Sequence, residues 1–348
     1  MKSTGFHNAS LQSLIRLSVL LLLGTTCNFS NAGNIRVNTE MGQDVYTLIQ
    51  GTTVVKVAPA SGANVFSIRV NDVEYLHPPE TAEKLAGVGC GVPILYPTPN
   101  RVRAGKFTFE DQAVQFPMKP KGRWFIHGLV NRHPWEKPVS KIAHDHVAVT
   151  FTADFSEGTD LWKQFPFPHR IKLQVEVREA RVRWTYTVDN TDGNKSVPFG
   201  FALHPYFKYQ GEREQTFLTI PATHMMESED RMPTGALIAA DDLDLELGEP
   251  MTLAGKSLDD VFWGMKPSEP TRIEFRDVRR QIQISASKEY THLVVWTPDR
   301  SYFGVESQTC STDAHNLYAA GKVEEAHLQI CPPEETMSGW VEYQFTAR

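Results

Sequence analysis

Apolar and polar residues alternate strictly over two neighbouring stretches of this chain, a pattern that fits extended strands and excludes an amphipathic helix. Ile171, Leu173, Val175 and Val177 alternate with Lys172, Gln174, Glu176 and Arg178. After a short break, Val182, Trp184, Tyr186 and Val188 alternate with Arg183, Thr185, Thr187 and Asp189. A period of two puts each apolar set on one face of a strand, whereas a 3.6-residue period would scatter it round a helix. The pair predicts two antiparallel strands joined by a tight turn, each with one buried face. Related patterns predict strands at residues 52–57, 65–70, 106–109, 147–155, 272–275, 281–286, 292–297 and 340–346. No long stretch carries helical periodicity, no internal repeat is visible, and no composition shift marks a linker. The expectation is one all-β domain over residues 33–348, a sandwich or barrel with few short helices.

Residues 1–32 read as an export leader rather than as part of the fold. Lys2 and Arg16 precede the apolar run Leu17 to Leu23, which Gly24 closes, and Ser30-Asn31-Ala32 offers small residues where a signal peptidase requires them. A membrane span needs about 20 apolar residues, so the run predicts cleavage near Ala32, export to a periplasm or the exterior, and no stable membrane insertion. Thr26 stands where a small Gly, Ala or Ser precedes a lipidated cysteine, which argues against an anchor at Cys27. The net charge is -6, from 35 Lys and Arg against 41 Asp and Glu. Losing the leader, with its two basic and no acidic residues, makes it -8. Without a basic block the chain lacks the electrostatic footprint of a nucleic-acid binder.

Metal and disulfide readings find little support. Cys90, Cys310 and Cys331 are too few and too widely spaced for a disulfide framework or a CxxC zinc site, although one pairing among them stays open outside the cytoplasm. The acidic segment at residues 241–246 lacks the glycine and terminal glutamate of a calcium loop and reads as solvated. His144-Asp145-His146 reads as a polar turn before a strand rather than a metal pair.

Chemistry concentrates elsewhere. Residues 93–101, Pro-Ile-Leu-Tyr-Pro-Thr-Pro-Asn-Arg, cannot form a central strand, because proline donates no ladder hydrogen bond. They predict a rigid loop ending in the polar pair Asn100-Arg101, and rigid loops on β scaffolds are where sites are built. His127-Gly128 follows Trp124-Phe125-Ile126, and His204-Pro205-Tyr206-Phe207 follows Gly200-Phe201-Ala202-Leu203. Glu306 sits in an apolar, alternating stretch, so its carboxylate lies either on a solvent face or in a site that needs it. No nucleophile elbow, phosphate loop, zinc-protease motif or dinucleotide fingerprint is present.

Taken in order, five elements resemble the aldose 1-epimerase (galactose mutarotase) family. They are the Pro97-x-Pro99-Asn100-Arg101-Val102-Arg103 loop, His127-Gly128-Leu129 with Trp135-Glu136, and Leu203-His204-Pro205-Tyr206-Phe207. Leu258-Asp259-Asp260-Val261-Phe262 and Val305-Glu306-Ser307-Gln308-Thr309, followed by Asp313-Ala314 and Asn316, complete the set. Ser307 stands where the family commonly has proline, which implies a slightly shifted Glu306 backbone. Val130-Asn131-Arg132 replaces the usual Ala-Arg, leaving Arg132 without a clear role.

The resemblance implies a large antiparallel β supersandwich and interconversion of α and β anomers of a small sugar. That reaction takes a proton from the anomeric hydroxyl and delivers one to the ring oxygen, so one base and one acid suffice and no metal or organic cofactor is required. It implies Glu306 as base and His204 as acid. Asn100, Arg101, His127 and Asp259 would bind the sugar, with Tyr206 or Trp124 as an apolar face. Reference values of about 4.3 and about 6.5 bound the working window, which mutual attraction would widen by lowering the glutamate and raising the histidine. A non-catalytic sugar-binding sandwich and an epimerase-like enzyme on a phosphorylated or oligomeric sugar are the alternatives, with a polysaccharide lyase or glycosidase more remote.

Overall fold

In the alternating stretch at residues 170–189, side chains pack as their pattern requires. The strands Arg170–Arg178 and Arg181–Asp189 pair antiparallel with Leu173 opposite Tyr186 and Val175 opposite Trp184. Their eight apolar side chains have no exposed surface, while Lys172 and Arg181 on the other face reach solvent. The computed structural model of this protein describes Met1 and residues 33–347, so the predicted leader falls outside the described residues apart from Met1.

This hairpin supplies the third and fourth strands of a nine-stranded antiparallel sheet. On one side it continues through Val147–Asp154 to Glu136–Ile142. On the other, the long strand Thr336–Ala347 pairs with Arg181–Asp189 and with Arg280–Ala286, and the sheet runs on through Thr271–Phe275 and Thr216–Thr219. A second, eight-stranded sheet carries in its central part Asp259–Trp263, His292–Trp296 and Tyr302–Gln308. A five-stranded sheet over residues 34–74 completes the large layers. Three α-helices occur among the described residues, the longest being Ala314–Ala319, and no described helix is long and apolar enough to cross a membrane. The fold is a large antiparallel β supersandwich.

Aromatic side chains join the layers. Tyr343 of the nine-stranded sheet lies 4.8 Å from Trp184, ring centre to ring centre, and 5.4 Å from Phe207. Phe207 and Phe275 both meet Phe303 of the Tyr302–Gln308 strand. Phe303 and Val305 therefore face the interior between layers, and the alternation of that strand turns Gly304 and Glu306 the other way.

Cys90, Cys310 and Cys331, whose pairing the sequence leaves open, are free thiols, each buried. One sequence reading is corrected here. The proline-rich loop contains a short strand after all: Ile94–Leu95 adds to the end of the eight-stranded sheet beside Ala202–Leu203. An outermost position is what its prolines permit, since only one side needs ladder donors. The acidic segment and the His144-Asp145-His146 turn both sit at the surface, with His146 Nδ1 2.8 Å from Asp145 Oδ1.

Adjacent residues of one central strand should thus differ sharply in their energetic weight. Trp184→Ala should cost about 3–5 kcal/mol in urea denaturation by emptying the core, and Thr185→Ala no more than about 0.5 kcal/mol. Equal losses would mean that the two faces are misassigned.

Candidate active site

Glu306 occupies the face of its strand opposite to the buried Phe303 and Val305. It pairs across the ladder with Val294, and Gly304 pairs with Trp296, so these four residues form a patch of sheet surface. Gly304 keeps the floor open: a Cβ there would lie 3.6 Å from Glu306 Oε1 and 3.7 Å from the Trp296 ring. Above this patch is a cleft of about 490 Å³ lined by Asn100, Arg101, His127, His204, Tyr206, Asp259, Trp296 and Glu306, among others. Its size falls within the range of about 300–1,000 Å³ usual for small-molecule sites.

Backbone pairings and hydrogen bonds carry the loop residues to this floor. His204 follows the short strand Ala202–Leu203, in which Ala202 pairs with Gln308, two residues beyond Glu306. Its N–H donates to Pro93 O at 3.0 Å, and Gly200 N–H donates to Pro97 O at 2.7 Å, which ties the His204 segment to the proline-rich loop. At the end of that loop Arg101 pairs with Ile126, so His127 emerges beside Asn100, and the His127 N–H donates to Asn100 O at 2.7 Å. Asn131 Nδ2 closes the turn by donating to His127 O at 2.6 Å.

The turn is strained, and glycine relieves one part of it. Asn100 and His127 have φ of 52° and 69°, a left-handed conformation uncommon outside glycine. Gly128 also has a positive φ, and a Cβ on it would lie 2.3 Å from Tyr96 O. The close approach lets Leu129 N–H donate to Tyr96 O at 2.8 Å. Beneath the loop, buried His169 donates from Nδ1 to Phe167 O and accepts from the Tyr96 hydroxyl at Nε2, both at 2.6 Å.

Glu306 and His204 meet directly. Glu306 Oε1 lies 3.3 Å from His204 Nε2, and both side chains are almost wholly buried. Burial pushes the Glu306 carboxyl up to about 8, against the Gln308 amide, which donates to Oε2 at 3.2 Å, and with nearby Asp259 adding to the rise. Burial lowers His204 to about 4. These shifts run opposite to those expected from mutual attraction, because removing each charged form from water outweighs the attraction. The pair therefore holds one proton across a wide interval, and moving it between the two groups needs only a transfer over one contact.

The neighbouring groups are held by polar contacts of their own. His127 packs edge-on against His204 with ring centres 5.1 Å apart, and its value is held well below the usual histidine range by burial, then by His204 and Arg101. Its Nδ1 has no partner, nor has Nδ1 of His204. Arg101 donates to Asn100 Oδ1 at 3.1 Å and to Asp259 Oδ2 at 3.2 Å, and Arg231 approaches the same Asp259 oxygen at 3.5 Å. Tyr206 lies flat against His204, ring centres 4.7 Å apart and planes 9° apart, so its ring fixes the imidazole as well as lining the cleft.

All seven residues singled out from the sequence, Asn100, Arg101, His127, His204, Tyr206, Asp259 and Glu306, line one cleft. Trp124 does not, lining an adjoining cavity instead. Trp296 and Arg231 were not foreseen. Trp296 belongs to a predicted strand whose alternation says only that it faces away from the core, and Arg231 lies at the tip of a hairpin that no sequence pattern directs here. Arg132 reaches Ala86 O at 3.4 Å, away from the cleft lining. Ser307 leaves the strand undisturbed, since the register runs unbroken from Gly304 to Gln308. The downstream Asp313 has a clear role: its carboxylate accepts from Arg103 N–H at 3.0 Å and Arg103 Nε at 3.4 Å, and its own N–H donates to Arg101 O at 2.9 Å, clamping the Arg101 strand.

Comparison with known proteins agrees with this architecture. The structure resembles that of a galactose mutarotase-like protein from Clostridium acetobutylicum, with a TM-score of 0.81 and 20% identity over 91% of this chain and 99% of that one. It also resembles galactose 1-epimerase from Lactobacillus acidophilus NCFM, with a TM-score of 0.72 and 15% identity over 90% and 98% of the two chains. In sequence it is 22% identical to the uncharacterized protein YihR of Escherichia coli (strain K12) over 234 residues, 64% of this chain and 71% of that protein. The profile of the aldose 1-epimerase family matches residues 44–344, and the chain belongs to that family.

Proposed function

We propose that the protein is an exported mutarotase that interconverts the α and β anomers of free hexoses such as galactose or glucose. The observation that carries this reading is the buried contact between Glu306 and His204 on the floor of a cleft of small-molecule size. The anomeric oxygen and the ring oxygen of a pyranose are bonded to the same carbon. An acid and a base that serve both must therefore stand side by side, as these two do. Glu306 takes the proton of the anomeric hydroxyl while His204 gives one to the ring oxygen, the bond from C1 to that oxygen breaks, and C1 becomes a carbonyl. Rotation about C1–C2 and the reverse transfers on the other carbonyl face close the ring as the opposite anomer. No redox change occurs.

His127, Arg101 and Asn100 present hydrogen-bonding atoms to the sugar, and Asp259 orients a hydroxyl pair while steadying Arg101. A purely sugar-binding site has no use for a carboxyl buried against an imidazole, whose desolvation only costs stability.

Glu306→Gln should abolish enzyme-catalysed exchange in polarimetry on freshly dissolved α-galactose; a wild-type rate would refute the base assignment. The same variant should remain folded. The Glu306 value is raised above its ordinary 4.5, so the folded state binds the extra proton. Its contribution to wild-type stability is full below that value and is lost as pH rises through about 8. Melting temperatures of the variant should accordingly gain on wild type across this interval.

Exchange itself should follow a bell-shaped pH profile. It should rise through about 4 as the second proton leaves the pair and fall through about 8 as the last one leaves. A profile confined to the interval between ordinary glutamate and histidine values would contradict the burial argument.

Export rests on the leader pattern of residues 1–32. The amino terminus of protein recovered from outside the cytoplasm should begin at Gly33, and an intact Met1 there would overturn the cleavage assignment.

A further inference from the structure

We propose that Gln308 is a positioning residue for anomer exchange: its buried amide holds Oε2 of Glu306, so that the carboxyl takes and returns its proton at Oε1, beside His204. The proposal rests on the mutarotase reading above. Gln308 lies two residues beyond Glu306 on the strand Tyr302–Gln308, hence on the same face. Its Nε2 donates to Glu306 Oε2 at 3.2 Å, while Oε1 of Glu306 lies 3.3 Å from His204 Nε2. The two oxygens of one carboxyl thus meet different partners. Gln308 has no exposed surface and is absent from the cleft lining, so it acts on the sugar only through Glu306.

The surroundings leave the amide no other task. Across the ladder Gln308 pairs with His292 on one side and Ala202 on the other. His292 has both ring nitrogens engaged, by Thr291 Oγ1 and by Glu325 O, each at 2.9 Å, and Ala202 brings no polar side chain. The amide oxygen of Gln308 is buried without a partner. An apolar side chain of the same length would avoid that cost, so what distinguishes glutamine here is its N–H. That donor fits a single pattern of protonation. Oε2 accepts it as a carboxylate oxygen, and equally as the carbonyl oxygen of a protonated carboxyl whose proton sits on Oε1. Oε1 is also the oxygen that the reaction needs. The anomeric hydroxyl and the ring oxygen share C1, so the base oxygen must be the one next to the acid nitrogen. On ring opening the anomeric O–H bond breaks and an O–H bond forms at Oε1, while the His204 Nε2–H bond breaks and its proton passes to the ring oxygen. Closure reverses both transfers.

Gln308 also sets how readily Glu306 ionises. Burial raises the carboxyl first and most, and the amide bond opposes it. His204, Asp259, Arg101, Tyr206 and Tyr343 are the other titratable or charged groups around Glu306, with His127 packed on His204. Among the described residues Gln308 is the one hydrogen-bond donor to Oε2.

Polarimetry on galactose across both pH limbs compares wild type with Gln308→Met, which keeps the length and removes the donor, and Gln308→Glu, which keeps the shape. In Gln308→Met a Glu306 value raised by about one unit lowers the ionised share of the one-proton pair about tenfold. Between the limbs kcat should therefore fall about tenfold with KM within about twofold of wild type. The alkaline limb should move up by about one pH unit, and the two profiles should converge beyond it. In Gln308→Glu the protonated carboxyl donates to Oε2, and losing that proton sets a second acid against Glu306. Exchange should persist on the acid side and the alkaline limb should move down. A purely structural role would lower exchange evenly at every pH. An even loss, an unchanged kcat in Gln308→Met, or alkaline limbs that stay in place or move the same way in both variants overturns the proposal. If Gln308→Met does not fold, Gln308→Glu decides alone, an unmoved or raised limb overturning the proposal. Exchange of no sugar by wild type refutes the mutarotase reading. Infrared titration of the Glu306 carboxyl, identified by difference from Glu306→Gln, then decides the role of Gln308: a midpoint raised in Gln308→Met supports the hold on Oε2, and an unmoved one overturns it.

Discussion

A carboxyl and an imidazole share a space from which water is almost excluded, and much of the structure serves to make that possible. Removing either charge from water costs several kcal/mol, and burial accordingly shifts both Glu306 and His204 toward their neutral forms. A flexible loop would let both groups turn outward and hydrate. Here Glu306 cannot, because its backbone belongs to an unbroken ladder whose neighbouring residues, Val305 and Phe303, are locked in the apolar interior. His204 is held from one side by its backbone bond to Pro93 and from another by the face of Tyr206. The supersandwich thus matters to the site as a source of rigidity: two sheets packed through Tyr343, Phe207 and Phe303 make a floor that does not relax when a buried ionisable pair is placed on it.

That rigidity also explains what the amino-acid sequence disclosed. The hairpin at residues 170–189 was legible because side-chain direction on a strand repeats every two residues, and one buried face forces the pattern into the sequence. Glu306 was ambiguous for the same reason. Alternation says that it opposes Phe303 and Val305 but cannot say whether the far side is solvent or cleft, since this depends on which loops arch over it. The grouping of Asn100, Arg101, His127, His204 and Asp259 came from the ordered resemblance rather than from periodicity. Trp296 and Arg231 carried no such signal, their place being set by pairings between strands far apart in the chain. The direction of the pKa shifts was equally hidden, because attraction between two groups can be guessed from their identities, whereas desolvation depends on the depth at which they meet.

The loops over the floor are positioned by a small number of directional contacts. Tyr96 is a hub for several of them: its hydroxyl bonds His169, its carbonyl receives Leu129, and Gly128 is pressed against its backbone. Asp313 does similar work at the other end by gripping Arg103 and the Arg101 carbonyl. Between these anchors Asn100 and His127 are kept in left-handed conformations. Such strain persists only where the surroundings over-determine the backbone, and here the surroundings hold ring nitrogens and amide groups at fixed positions before any ligand arrives. A ligand that meets preset partners loses less of its binding energy to ordering them.

Charge in the cleft follows the same economy. Arg101 and Arg231 both lean on Asp259, and the remaining acid, Glu306, is kept close to neutral by burial. Two guanidiniums against one carboxylate leave a single positive charge in excess, whose long-range pull gains nothing for an uncharged ligand. Selectivity must then come from the geometry of hydrogen bonds, and a buried partner left unpaired by the wrong hydroxyl costs about 1–3 kcal/mol. Arg101 is where this requirement reaches outward. Its guanidinium is shared among Asn100, Asp259 and the Trp124 ring, so any group that displaces one of these contacts shifts the arginine relative to the other two.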